Sequence, residues 1–393
     1  MEYTLTNKKH FLPYARQEID EDDINFVAQT LRSDYLTTGP ANIEFENKLS
    51  DLVGTKFATC CSSGTAALHL SVNALDLKPG DRVIVPTITF LATANAPRYV
   101  GADIIFCDVD PETGLMGVDH LEAAIRNSKQ PIAAVFPVHH GGQSPDIKGI
   151  ATIARSNNMS IVEDASHAIG SLYSGEKASN FVGSCTDSDI TTFSFHPTKN
   201  IAMGEGGAAT TTDKELDHRL KLFRNHGMYR EESPEQPWFY QMHHLGFNYR
   251  ASEIHCALGI SQLNKLAQFS RKRRFLVELY DILLKPFGSV VRPVKRMPGQ
   301  PVWHLYLVLI DFCEIAKSRG EVMKKLDAVG IGSQVHYIPV HQQPYYEKLY
   351  GKQDMPGAEK YYNRCLSLPL HTNMEENDVR YVVEALCLIL NLQ

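Results

Sequence analysis

Between Lys56 and Glu163 the chain repeats one alternation, and that repetition limits the fold more than any other feature. Short apolar, largely β-branched runs predict strands at 56–60, 82–86, 103–108, 131–137 and 160–163. Between them, segments with helical spacing predict helices at 65–75, 91–100, 118–127 and 147–157. Parallel neighbours need a long crossover, and a helix supplies it, so the alternation predicts an α/β fold with a mostly parallel sheet. Ligands of such sheets bind outside the carboxyl ends of the strands, which is where chemistry is to be sought.

Upstream, Asp22 to Arg32 reads as a helix with Ile24, Val27 and Leu31 on one face, and a second helix runs from Asn42 to Val53, ended by Gly54. Downstream, helices are expected at Lys214–Arg224, at Ala251–Leu266 and from the basic run Arg271–Arg274 to about Leu284. Strands at 303–311 and 332–337 with a helix at 314–328 then make a smaller α/β unit. The boundary is placed near Ala267, giving a large domain over 1–266 and a small one over 267–393. A chain of 393 residues is long enough for both to bury a core.

A formal net charge of −6 gives no general affinity for polyanions, so no nucleic-acid partner is expected, and Arg271–Arg274 reads as a solvated helix face. The eight cysteines form no CxxC pair, which points away from a zinc site or a disulfide framework and toward a reducing compartment. The first residues lack a signal-peptide core and no apolar run has the length of a membrane span, so a cytoplasmic protein without a membrane partner is expected.

Three stretches carry chemistry. In DITTFSFHPTKNIAMGEGG, 189–207, a strand gives way at Pro197 to a loop holding Lys199, and Gly204, Gly206 and Gly207 allow tight turning beyond it. A lysine in a sheltered loop can lose its proton and attack a carbonyl, forming a Schiff base; alone it reads equally as a surface turn. In SIVEDASHAIG, 160–170, a strand ends in Glu163 and Asp164 with His167 beyond. Asp164 suits the ring nitrogen of a pyridoxal phosphate or, more plainly, the cap of the next helix. In CCSSGTAALHL, 60–70, Ser62, Ser63 and Thr65 open a helix, as either a phosphate site or an N-cap. His139 and His140 lack partners at ligand spacing, so no metal is expected there, and they read as a loop bordering a site.

With TFLATANA at 89–96 and LGFNYRASEIHCALGISQLNKL at 245–266, these stretches resemble, in the same order, the DegT/DnrJ/EryC1/StrS family of sugar aminotransferases, from about Tyr14 to the C-terminus. The resemblance implies the type I aminotransferase fold, the fold of PLP-dependent transferases, and pyridoxal 5′-phosphate as cofactor, held by Lys199. It also implies Gly64, Thr65, Ala66 and Ser194 at the phosphate, Phe90 over the ring, Asp164 at the ring nitrogen, and His167 at the phenolic oxygen or over the ring. Asn248 would bind the phosphate of a neighbouring subunit's cofactor, within a homodimer that shares its sites.

Tyr14, Tyr35, Leu36, Thr37 and His336 become substrate contacts, with Tyr337 and His341 beside them. GIGSQVHYIPVHQQPYY at 330–346, with HLY at 304–306, is similar to the pseudaminic-acid branch. Its members move the amino group of glutamate to the C4 ketone of a UDP-linked 4-keto-6-deoxy amino sugar. Other keto-sugars, of perosamine type or aminated at C3, remain alternatives within the family. A non-catalytic regulator on the same fold is an alternative of another class, against which the presence of Lys199 and the absence of a DNA-binding extension both argue. His167 stands where many members carry glutamine, which leaves its hydrogen-bond state open.

Overall fold

In the computed structural model, which describes residues 11–128, 130–173, 180–230 and 235–392, two helices precede the alternation: α1 (Glu21–Leu31) and α2 (Pro40–Val53). Then follow β1 (Phe57–Cys61), α3 (Gly64–Ala74), β2 (Arg82–Pro86), α4 (Leu91–Tyr99), β3 (Asp103–Cys107), α5 (Val118–Asn127), β4 (Ala134–Val135), α6 (Ile147–Ser156) and β5 (Ser160–Asp164). A hairpin of β6 (Ile190–Ser194) and β7 (Gly207–Thr211) leads to α7 (Lys214–Arg224), the short pair β8 (Met228–Tyr229) and β9 (Gln241–Met242), and α8 (Glu253–Leu284). The remainder holds β10 (Val291–Pro293), β11 (Tyr306–Ile310), α9 (Arg319–Ala328), α10 (Pro344–Tyr350), α11 (Pro356–Arg364), β12 (Cys365–Leu368) and α12 (Glu376–Leu390).

The first seven strands form one sheet in the order β1-β7-β6-β5-β4-β2-β3. Its pairings from β3 through β6 are parallel, and β7 runs against both of its neighbours. Helices cover both faces, so a central strand such as β2 is apolar without interruption: Val83, Ile84 and Val85 are all fully buried. The register sets Gly207 beside Ser194 on one side and Cys61 on the other. The β6–β7 loop carrying Lys199 therefore closes directly over the first turn of α3.

Several expected boundaries shift for local reasons. The strand expected at 131–137 is reduced to Ala134–Val135, because Pro131 and Pro137 have no amide to donate; single bonds from Ala133 and Phe136 to β2 continue it. The stretch 332–337 is not a strand: it is held by an isolated bridge between Gln334 and Ser367, and four of its residues, Gln334 to Tyr337, line the cleft described below. No linker stands at Ala267, where the domain boundary was expected, because α8 passes through it unbroken. The N-terminal segment also crosses that division, with Leu12 bonded to Gly330 and Gly332 and packed in the core of the C-terminal unit. Of the long stretch 225–250, residues 231–234 lie outside the described residues, as do the first ten of the chain.

The basic run is only partly a solvated face. Arg271 and Arg274 are exposed and Lys272 pairs with Glu375, but helical spacing turns Arg273 inward. There its guanidinium donates to the carbonyls of Trp303, His304 and Leu370 at 3.1–3.3 Å, and burial pulls its pKa down to about 10. It joins α8 to the strand that backs the cleft. Replacing Arg273 by Met leaves three buried carbonyls without a donor, at a cost on the order of 3 kcal/mol. Urea unfolding should show that loss for Arg273→Met, whereas Arg271→Ala should unfold like the wild type.

Candidate active site

A cleft of about 570 Å³ opens at the carboxyl ends of the parallel strands, within the range of small-molecule sites. Its floor comes from the turn before α3, the ends of β5 and β6 and the loop around Lys199, and its far wall from 334–338 and His304. Tyr14, Gly64, Thr65, Phe90, Asp164, His167, Ser194, Lys199 and His336 all line it.

Lys199 follows β6 in a turn closed by its own amide on the carbonyl of His196. Desolvation lowers its pKa from 10.5 to about 8, with Asp164 pulling weakly the other way. A sizeable fraction of the amine is then free near neutrality, as a nucleophile requires.

Asp164 ends β5 facing the cleft, while its neighbour Glu163 points to the opposite face of the sheet. The Asp164 carboxylate accepts from the Thr93 hydroxyl (2.6 Å) on one oxygen, and from the Ser166 amide (3.1 Å) and hydroxyl (2.6 Å) on the other. Glu163 is wholly buried, which raises its pKa, but hydrogen bonds from His139, Ser188 and Tyr173 outweigh that and hold it below the usual range. The acidic pair therefore divides into one group offered to a ligand and one that fastens structure.

At the start of α3 the Ser63 hydroxyl accepts from the Ala66 amide, so Ala66 is occupied by the N-cap. Gly64 and Thr65 line the cleft, and their amides, in the first turn of the helix, have no carbonyl available within it, as an anion site needs. No side chain larger than hydrogen fits here. A Cβ on Gly64 would lie 2.7 Å from that of Ser194, and one on Gly207 would lie 2.2 Å from the Ser63 carbonyl oxygen.

Much of the remaining wall is aromatic or imidazole, with Glu205 the other carboxylate among the described lining residues. Phe90 caps α4 without joining the core and is 56% exposed, with its ring 6.1 Å from that of Tyr337. His167 accepts the Gly141 amide at Nδ1 (3.2 Å), which places its proton on Nε2 and makes that nitrogen the donor to the Tyr337 hydroxyl (3.1 Å). Both ring nitrogens are thus used inside the protein, and His167 offers a ligand its ring face rather than a nitrogen. The donor that this pair leaves free is the Tyr337 hydroxyl.

Burial holds the nearby histidines neutral: His140 falls to about 4, His336 to about 3, and His167 and His304 lie well below their ordinary value, with Lys199 adding to the effect. His139 and His140 are bonded to Glu163 and Tyr361, and among the described residues no cluster of three or more metal-ligating side chains occurs.

Five expected residues lie outside the cleft, the first being Ala66, whose amide is bonded to Ser63. Tyr35 and Leu36 are 55% and 50% exposed, Thr37 bridges to Ser252, and Asn248 is exposed where it pairs with Asn225. Their loop is nonetheless fixed, since Glu253 accepts the amides of Gly39, Ala41 and Asn42. Sequence reasoning missed Thr93, Ser166 and His304. All three lie in stretches that carry the family resemblance, 89–96, 160–170 and 304–306, but the sequence reading assigns them no role within those stretches.

A desolvated amine, a carboxylate and an anion cradle in one cleft match a ligand with an aldehyde, a basic ring nitrogen and a phosphate. A family model described as the DegT/DnrJ/EryC1/StrS aminotransferase family matches residues 17–387. The chain is 36% identical over 388 residues to the spore coat polysaccharide biosynthesis protein SpsC of Bacillus subtilis, covering 97% of each. To the UDP-4-amino-4,6-dideoxy-N-acetyl-β-L-altrosamine transaminase of Campylobacter jejuni (serotype O:23/36) it is 36% identical over 384 residues, 96% of this chain and 97% of that one. Among solved structures it is similar to Helicobacter pylori PseC, an aminotransferase involved in the biosynthesis of pseudoaminic acid. The TM-score is 0.89 at 28% identity, over 97% of this chain and 99% of the other.

The lowered pKa of Lys199 sets a pH dependence. The amine is free above its pKa, so the rate at which the apoprotein combines with pyridoxal phosphate should rise with pH through a midpoint of about 8 rather than 10.5, and level off above it. Stopped-flow absorbance checks this, and Lys199→Ala should abolish the phase.

Proposed function

The chain belongs to the DegT/DnrJ/EryC1/StrS aminotransferase family, and we propose that within it the substrates are glutamate and a UDP-linked 4-keto-6-deoxy amino sugar. The product would be UDP-4-amino-4,6-dideoxy-N-acetyl-β-L-altrosamine, a precursor for pseudaminic acid. That it is a sugar aminotransferase dependent on pyridoxal phosphate follows from the family; the choice of sugar rests on the end-to-end similarity to the Campylobacter jejuni transaminase.

The residues present fit the cofactor. Gly64, Thr65 and Ser194 would hold its phosphate, Asp164 its ring nitrogen, Lys199 its aldehyde carbon, and Phe90 and His167 its ring. Bound there, pyridoxal phosphate supplies a carbonyl to carry the migrating nitrogen and a protonated ring to accept the electron pair of the broken C–H bond.

The chain's own part is to move one proton and exclude competing charge. Lys199 Nζ takes the proton from Cα of glutamate, and in the second half of the cycle delivers one to C4 of the sugar. A lysine with its pKa near 8 serves both directions. The neutral histidines around it add no second proton donor, and the free Tyr337 hydroxyl orients a polar atom of the substrate.

Glutamate and a nucleotide diphosphate bring several negative charges, whereas the described residues lining the cleft include one lysine and no arginine. This supports a homodimer in which the partner completes the site, with Asn248 reaching the cofactor phosphate and Tyr35, Leu36 and Thr37 reaching the substrate. The exposure of Trp238 (72%) and Leu245 (78%) in the segment leading to Asn248 supports the same reading. A cytoplasmic location is supported by cysteines that are all unpaired. No helix among the described residues is long and apolar enough to cross a membrane.

Two measurements check these readings. After glutamate has converted the bound cofactor to its amine form, the visible absorbance should return with the UDP-4-keto-6-deoxy amino sugar and not with dTDP-linked 4-keto sugars. Return with another sugar moves the substrate assignment, and binding of cofactor without any turnover favours a regulator. Separately, Lys199→Ala and Asn248→Ala should each be nearly inactive, while subunits mixed by mild denaturation and refolding should regain up to about one quarter of wild-type activity, since one intact site forms in each mixed dimer. Failure to complement would remove Asn248 from a shared site.

A further inference from the structure

We propose that Thr93 is a positioning residue for the reaction: through Asp164 it keeps the proton on the cofactor's ring nitrogen. The proposal rests on the reading of Asp164 as that nitrogen's partner. An ionised carboxylate offers about four lone-pair directions and donates nothing. On Oδ1 of Asp164 two directions are taken, by the Ser166 amide and hydroxyl. On Oδ2 only one is taken, by the Thr93 hydroxyl at 2.6 Å, so the direction left for a ligand belongs to the oxygen that Thr93 holds.

The direction of the chain follows from the same count. Thr93 must donate to Asp164, so its own oxygen is left to accept, and the Thr89 hydroxyl lies 2.7 Å away to donate to it. A relay from Thr89 through Thr93 to Asp164 results, each bond polarising the next. All three groups are buried, at 2%, 0% and 5% exposure, so water is poorly placed to replace a missing member. Thr89 and Thr93 flank Phe90 by one residue before and three after. The turn that puts an aromatic ring over the cofactor face therefore also fixes the carboxylate at its edge.

Losing the Thr93 hydroxyl frees the carboxylate to turn about its Cβ–Cγ bond and weakens its hold on the ring nitrogen's proton. The test uses holoenzyme reconstituted with pyridoxal phosphate carrying ¹⁵N in its ring, at saturating cofactor. The wild type and Thr93→Ser should show the protonated-nitrogen resonance. In Thr93→Val the ratio of protonated to free nitrogen should fall on the order of tenfold, and Thr89→Val should give a smaller change in the same direction. Thr89→Val carries the test if Thr93→Val does not fold. Wild-type resonances in the valine variants, with loss of the protonated signal in Asp164→Asn, would overturn the role of Thr93 alone. A protonated signal that survives in Asp164→Asn would overturn the assignment of Asp164 and the relay with it.

Discussion

Backbone meets backbone where β1 and β6 end and β7 begins beside the first turn of α3, and the cleft depends on that approach. Gly207 leaves no space for a side chain against the Ser63 carbonyl, and Gly64 leaves almost none against Ser194. With hydrogen at both positions, Gly64, Thr65 and Ser194 line one cleft together, and the loop with Lys199 begins one residue later. The register that places Gly207 between Ser194 and Cys61 is therefore a functional constraint as much as a feature of the sheet.

A second constraint is dielectric. The cleft is lined by a lysine, two carboxylates and several imidazoles, and burial sets the charge of the lysine and the imidazoles. The histidines are driven neutral, and burial brings Lys199 down to about 8 against the opposing pull of Asp164. Hydrogen bonds then set direction: the Gly141 amide fixes the proton of His167, and His167 in turn frees the proton of Tyr337. The buried polar groups around Glu163 are satisfied differently, with Glu163 gathering His139, Tyr173, Ser188 and Thr191 into one network that meets the cleft at His139.

The C-terminal unit acts as the cleft's far wall, and Arg273 shows how firmly it is attached. One guanidinium bonded to three carbonyls joins α8 to residues on either side of β11 and β12. The pairing of Leu12 with Gly330 and Gly332 adds a second attachment, so the wall that carries His336 and Tyr337 is tied to both the start and the middle of the chain. Sites built on rigid elements in this way hold their geometry better than sites on free loops.

The sequence by itself determined the alternation of strands and helices, the carboxyl edge as the place of chemistry, and Lys199, Asp164 and the Ser-Gly-Thr turn as the groups to watch. Local pattern suffices for these, since hydrophobic period, proline placement and glycine clusters are properties of neighbouring residues. Only the tertiary structure decided which of Glu163 and Asp164 faces the cleft, that Ala66 is spent on the N-cap, that Arg273 is buried within a basic run, and that Thr93 bonds Asp164 and Tyr337 bonds His167. Those outcomes depend on hydrogen bonds between residues as far apart as 167 and 337, and on burial that sets the charge of each group. A one-dimensional pattern contains neither distance nor dielectric.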